Sequence, residues 1–135
     1  MQPSPELRAF AEQAFRNMTA QTVDAELASY SAEPGSIFIG TDPKEWCEGL
    51  AAWEPIVRAA AQNYSGNLPA DLQIEAMQEG NVGWVAARWT RRLPDGRCLH
   101  FRDTGVCHQV NGVWKAVQWH ASVAVPDELA PTVAQ

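Results

Sequence analysis

The pattern of apolar and polar positions changes once along the chain, near Leu72. Before Leu72, apolar residues recur at three- and four-residue spacing, which is typical of amphipathic helices. After it, apolar and polar residues alternate in runs that turn-forming residues separate, which is typical of strands. Helices followed by strands predict an α+β fold in which the helices cover one face of an antiparallel sheet.

Two helices and a small strand are predicted in the first forty residues. The first helix begins after Ser4, a good N-cap, with Pro5 at its first position. The second begins near Thr22 and carries Glu26 in its first turn, where a carboxylate favours the helix dipole. The apolar run SIFIG at 36–40 is typical of a short strand.

A third helix is predicted from Asp42, because Asp42, Pro43 and Glu45 form a capping signal. Pro55 removes an interior hydrogen bond and is expected to kink or split this helix near Trp53. The predicted inner face consists of Trp46, Leu50, Trp53, Val57 and Ala61.

Four strands are predicted after Leu72, and they form an antiparallel meander. The strand segments are LQIEAMQ, VGWVAARWTRRL, RCLHFRDTGVCHQ and VWKAVQWHASVAV, and EGN, PDG and NG separate them as turns. At 135 residues the chain is expected to form one domain spanning 1–135, with about 126–135 as a loosely ordered tail.

The Asn111-Gly112 turn leaves two registers open for the last hairpin. A two-residue turn pairing Val110 with Val113 would mix apolar and polar residues on both faces. A three-residue turn pairing Gln109 with Val113 separates the faces better and is therefore the predicted register.

In the predicted register Asp103 lies on the apolar face with Phe101 and Trp119. A carboxylate there is costly to desolvate unless it is paired or faces a wet pocket. Trp114, beside His108, and His120 fall on the opposite, outer face. The two histidines are about 20 Å apart by strand rise, so they cannot share a metal ion.

Composition excludes several classes of partner. Ten Lys and Arg against sixteen Asp and Glu give a net charge of −6, and no basic run exceeds two residues, so neither nucleic acid nor an anionic membrane is expected as a partner. No leader or membrane-spanning run is recognisable, which favours the cytoplasm. Cys47, Cys98 and Cys107 are expected to be buried free thiols without disulfide or metal.

The segments GTDPKEWCEGL, ARWTRRLPDG and FRDTGVCHQVNGVWKAVQWHASV resemble the SnoaL-like branch of the nuclear transport factor 2-like superfamily. The resemblance implies a cystatin-like cone, in which three helices pack into a curved antiparallel sheet, with a pocket between them and frequent homodimers. The closing hairpin is also similar to the calcium/calmodulin-dependent kinase II association domain, whose pocket binds carboxylates through arginines. Arg88 matches one of those arginines, whereas Gly105 and Ala121 replace the other two.

Three functions are consistent with the sequence. The first is a small-molecule-binding protein whose ligand is mostly apolar with one polar group and needs no cofactor or metal. The second is an isomerase, dehydratase or hydrolase with Asp103 as general base. The third is a non-catalytic oligomerisation module, recognised by a complete apolar core without a cavity. A homodimer through the outer sheet face is expected, with Trp114, His120 and Arg102 on that face. The residues predicted to form the ligand site are Trp46, Trp53, Arg88, Phe101, Asp103 and Trp119.

Overall fold

A seven-stranded sheet forms one side of the molecule, and its middle is the predicted four-stranded meander. The computed structural model describes residues 1–64 and 69–129. The helices are α1 (Pro5–Arg16), α2 (Val23–Leu27) and α3 (Leu50–Tyr64). The strands are β1 (Gln2–Pro3), β2 (Ile37–Ile39), β3 (Trp46–Glu48), β4 (Ala70–Glu79), β5 (Val82–Arg92), β6 (Cys98–Val110) and β7 (Val113–Val123).

The strand order is β1-β4-β5-β6-β7-β2-β3, and β2 runs parallel to β7 while the other neighbours are antiparallel. The α+β class, the meander and the short strand at 37–39 are therefore confirmed. Most of the predicted tail, 130–135, lies outside the described residues. None of the helices in the described ranges is both long and apolar enough to cross a membrane.

Helix α1 begins and packs as its sequence predicts. The Ser4 hydroxyl accepts a hydrogen bond from the Leu7 backbone N–H at 3.2 Å, which satisfies one of the free donors at the helix start. Leu7, Ala11 and Phe15 recur at four-residue spacing and are buried against the inner face of the sheet. This helix therefore covers one half of that face.

The predicted start of the third helix at Asp42 is wrong, because the capping signal closes only a single turn. The Asp42 N–H donates to a Glu45 carboxylate oxygen at 3.0 Å, and the Glu45 N–H donates to the Asp42 carbonyl oxygen at 2.9 Å. Residues 46–48 then pair with β2, which satisfies their backbone groups in the sheet. Helix α3 begins at Leu50 and continues through Pro55 to Tyr64 without the predicted split.

The predicted turn of the last hairpin is also wrong, although the facing of Asp103 is right. Asn111 and Gly112 form a two-residue turn, and Val110 pairs with Val113. An irregularity between Val106 and Cys107 leaves Val117 unpaired and restores the predicted alternation beyond it. Asp103 consequently shares the inner face with Trp119 and with Ala121, its partner across the ladder.

Between the turn and this bulge, the residues of β7 face the side of the sheet opposite to the predicted one. Trp114 pairs with Gln109 and is buried in the core with 5% of its surface exposed, instead of lying on the outer face beside His108. His108 lies opposite Lys115. The observation that motivated an outer-face dimer is therefore corrected. Cys98 likewise is exposed, contrary to prediction, whereas Cys47 and Cys107 are buried.

Candidate functional site

A cavity of about 290 Å³ lies between the three helices and the inner face of the sheet. Exposed residues such as Thr41, Ala59 and Asn63 line part of it, so the cavity reaches the surface. Its walls are mainly apolar and rich in aromatic rings, with a few polar side chains among them. The aromatic lining consists of Phe10, Phe15, Tyr30, Trp53, Trp89, Phe101 and Trp119.

Asp103 projects from β6 into this cavity, and two indole groups hold it in place. The Trp89 Nε1–H donates to Oδ1 at 3.0 Å, and the Trp119 Nε1–H donates to Oδ2 at 2.8 Å. Trp89 stacks on Phe101 with ring centroids 4.1 Å apart, and the Phe15 ring meets both indoles edge to face. The carboxylate is therefore held by two indoles that other aromatic rings keep in place.

Gly105 provides the space that Trp119 needs to reach Asp103. It lies directly opposite Trp119 in the β6–β7 ladder. A Cβ atom on Gly105 would overlap the six-membered ring of Trp119. The glycine that replaces a pocket arginine in the resemblance is thus a packing requirement of the Trp119 indole in this chain.

Burial raises the pKa of Asp103 from 3.8 to about 6, while the hydrogen bonds from Trp119 and Trp89 and the charge of His120 act in the opposite direction. The side chain is only 4% exposed, so desolvation of the charged form is the larger effect. At neutral pH the group is still mostly ionised. It is thus a buried carboxylate whose protonation changes just below neutral pH.

A second buried acid, Glu26 of α2, lines the same cavity and was not predicted as a site residue. It is 7% exposed, and the Tyr30 hydroxyl donates to its Oε2 at 3.2 Å. Burial raises the pKa of Glu26 from 4.5 to about 7, and the Tyr30 hydrogen bond offsets part of this rise. From the sequence, Glu26 was assigned only an interaction with the helix dipole, and so it was not considered as a cavity residue. The signal in the sequence was the four-residue spacing to Tyr30, which is helical spacing, although α2 ends at Leu27 and Tyr30 follows it.

Tyr30 connects the two acids electrostatically. Burial and the nearby charges of Glu26 and Asp103 raise the pKa of the Tyr30 phenol well above its ordinary value. The Trp53 indole N–H lies close enough to lower that pKa, yet it makes no hydrogen bond of ordinary geometry among the described residues. The Tyr30 hydroxyl is therefore bonded to Glu26 and lies within electrostatic reach of Asp103.

Four of the six predicted site residues line the cavity, and two do not. Trp53, Phe101, Asp103 and Trp119 are brought together as expected. Trp46 is 63% exposed, because residues 46–48 form an edge strand and not the inner face of a helix.

Arg88 lies on the outer face of the sheet, where it is opposite Arg102 and donates from Nε to Gln73 at 2.7 Å. The regular alternation of β5 turns Ala87 and Trp89 inward, and so it turns Arg88 outward. The arginine that does line the cavity is Arg91, which donates to the Asn63 carbonyl oxygen at 3.2 Å. Within the described residues, no three His, Cys, Asp or Glu side chains are grouped as metal ligands.

Comparison with known proteins agrees with this architecture. The model of a family described as a SnoaL-like domain matches residues 7–126. Among curated proteins, none matches the sequence.

Solved structures share the fold at low sequence identity. A nuclear transport factor 2-like protein of unknown function from Pseudomonas putida superposes with a TM-score of 0.71 at 15% identity, covering 91% of this chain and 87% of the other. An uncharacterised protein with a cystatin-like fold from Caulobacter vibrioides gives 0.70 at 16%, covering 96% of both chains. A putative calcium/calmodulin-dependent protein kinase type II association domain from Thiobacillus denitrificans gives 0.67 at 19%, covering 93% and 98%.

Proposed function

The chain belongs to the SnoaL-like family, and on that premise we propose that it binds a small, largely apolar molecule with one polar group in the cavity beside Asp103. The observation that carries the proposal is the Asp103 carboxylate, buried in an aromatic-walled cavity and fixed by two indole N–H groups. A buried carboxylate costs stability, so its presence at a cavity wall favours a binding role.

The cavity has the composition of a ligand site. Its volume of about 290 Å³ is near the lower end of the range of about 300–1,000 Å³ that is usual for small-molecule pockets. Apolar walls supply most of the burial, and the few convergent polar groups orient the ligand. Each Asp103 oxygen accepts one indole N–H and retains a second lone pair for a donor on the ligand.

Native mass spectrometry of the purified protein tests this proposal. We expect a bound small molecule that is released on denaturation, and we expect Asp103→Asn to reduce its occupancy about tenfold, the loss of one charge-assisted hydrogen bond. Asp127→Asn, which changes an exposed aspartate, is the matched control and should retain the molecule. Equal retention in Asp103→Asn would contradict a role for Asp103 in binding.

A second candidate is an isomerase, dehydratase or hydrolase with Asp103 as general base. The observation that favours it is the pKa of about 6, which lets Asp103 accept a proton near neutral pH. If this is correct, the bound molecule incubated in D₂O should gain deuterium or be converted, and Asp103→Asn should slow the change at least about a hundredfold. Retention of the molecule without exchange or conversion would leave binding as the function.

An oligomerisation module without chemistry is the least supported of the three candidate functions. Its expected sign was a complete apolar core without a cavity, whereas the described residues enclose a cavity with two buried acids. A dimer is compatible with ligand binding, and its interface would lie on the face opposite the cavity.

A further inference from the structure

The cavity contains two buried acids, and among the described residues no basic side chain hydrogen-bonds to either of them. The hydrogen-bond partners of Asp103 are the neutral indoles of Trp89 and Trp119, and the partner of Glu26 is the phenol of Tyr30. Neutral donors stabilise a carboxylate less than a counter-ion does, which is why burial dominates the pKa of both acids. Within the described part of the chain, neither acid therefore has a counter-ion bonded to it.

One carboxylate oxygen is directly available to a ligand. Glu26 is more than nine-tenths buried, and the Tyr30 hydroxyl donates only to Oε2, so Oε1 has no donor among the described residues. An oxygen left without a donor inside a cavity wall is costly unless a ligand or a water molecule supplies one. Glu26, Tyr30 and Asp103 line one cavity, so both acids face the space that a ligand would occupy.

The basic groups near the cavity lie away from this pair of acids. Ala87 is directly opposite Asp103 in the β5–β6 ladder, and Arg91 is four residues further along β5, about 13 Å at the usual strand rise. Its guanidinium donates to the Asn63 carbonyl oxygen at the end of α3. His120 is on the outer face, opposite Thr104.

Aromatic rings surround the same region. Tyr30 packs edge to face against Phe38 and Trp53, and Trp119 meets Phe15 in the same manner. Aromatic faces attract an ammonium group and also accept an apolar body. Carboxylates combined with aromatic walls are the chemistry that recognises an organic cation.

We propose that the ligand is an organic amine, bound as a cation, with its ammonium group on the acidic side of the cavity that Glu26 and Asp103 line and its apolar body against the aromatic wall. The inference rests on the proposed binding function and specifies its ligand class. Tyr30 positions Glu26 through its hydroxyl and is not itself the counter-ion.

The affinity for such a cation depends on pH in a defined direction. Only the ionised acids attract it, so affinity should rise with pH between about 5 and 8 and then become constant. The other titratable or charged groups near this region are Tyr30, Glu45 and Arg91 in the cavity lining and His120 on the outer face, whose charge acts on Asp103. A neutral ligand should show no comparable rise.

Titration with three probes of similar size tests the ligand class on the intact protein. The probes are 2-phenylethylamine, 2-phenylethanol and phenylacetate, measured by calorimetry at about pH 8. We expect the amine to bind about tenfold more tightly than the alcohol, with the carboxylate weakest, since a charge-assisted hydrogen bond is about twice as strong as a neutral one. Glu26→Gln should remove most of the amine preference, whereas Glu75→Gln, on the exposed outer side of β4, should preserve it.

The outcomes separate this inference from the function it rests on. If the alcohol binds as tightly as the amine, the binding function stands and the cation inference is overturned. If no probe binds and no molecule is retained in native mass spectra, both fail. Should Glu26→Gln not fold, the parent protein alone decides the matter, because an amine affinity that is flat from about pH 5 to 8 overturns the inference.

Discussion

Replacing Asp103 with Asn separates the cost of its buried charge from the value of its hydrogen bonds. The two side chains have nearly the same shape, but the amide cannot ionise and offers one oxygen where the carboxylate offers two. One of the two indoles, Trp89 or Trp119, must then face an NH₂ group. A buried donor left without an acceptor costs about 1–3 kcal/mol.

The buried charge of Asp103 destabilises the parent protein, and it does so only at higher pH, where the carboxylate is ionised. The rise of the Asp103 pKa from 3.8 to about 6 on folding corresponds to about 3 kcal/mol. Because the folded-state pKa is raised, this contribution to stability is fully present below about pH 4 and is lost as pH rises through about 6. Asp103→Asn lacks the titration and therefore lacks that loss.

Urea unfolding from about pH 4 to 8 measures both effects. We expect Asp103→Asn to be less stable than the parent at about pH 4 and equal to it or more stable at about pH 8, a relative change of about 3 kcal/mol. Asp127→Asn should follow the parent at every pH. Parallel curves for the parent and Asp103→Asn would refute the reasoning, because Asp103 would then titrate as an exposed group does.

Three further predictions follow from the packing and the surface. Gly105→Ala should destabilise the fold by about 1–3 kcal/mol in urea unfolding, because its methyl group would overlap Trp119, whereas Thr104→Ala on the outer face should change little. A disulfide reagent should label the exposed Cys98 rapidly in the native protein and all three thiols in denaturant. Native Cys107 should react slowly, because burial raises the pKa of its thiol to about 12. Rapid labelling of Cys107 in the native protein would contradict its burial. A homodimer through the outer sheet face remains a prediction, now centred on the apolar row Met77, Trp84 and Val106. Sedimentation should give a dimer mass, and Val106→Lys should reduce that mass. A monomer mass for the parent protein at micromolar concentration would contradict the predicted dimer.

Much of the fold could be predicted because it follows from local periodicity. Helix α1 has a cap, a proline and four-residue apolar spacing that agree, and the four long strands have two-residue alternation between clear turns. The helix start at Asp42 failed because the same capping chemistry also closes an isolated turn. Pairing of residues 46–48 with β2 decides between the two, and that contact is not local.

Site residues could be predicted where the two-residue alternation of a strand determines which face of the sheet a side chain lies on. Elsewhere they could not. Asp103 and Trp119 were placed correctly because an unpaired residue at the bulge compensated for the wrong turn. The same bulge places Trp114 on the inner face, in the core. No residue type near Val117 marks the position of a bulge in the sequence, so the facing of Trp114 could not be predicted. Glu26 was missed because its burial depends on how α2 packs against the other helices, which the pattern of one helix does not encode.

The central claim is that the cavity around Asp103 is a ligand site, and the indole N–H signals of the two tryptophans that contact it test this claim most directly. In ¹⁵N-labelled protein titrated with 2-phenylethylamine, the Trp89 and Trp119 indole signals should move together and saturate, because both N–H groups contact the carboxylate that the ligand approaches. The Trp84 indole, on the outer face, should stay in place as the internal reference. Binding that moves the Trp84 signal and leaves Trp89 and Trp119 unchanged would contradict the account.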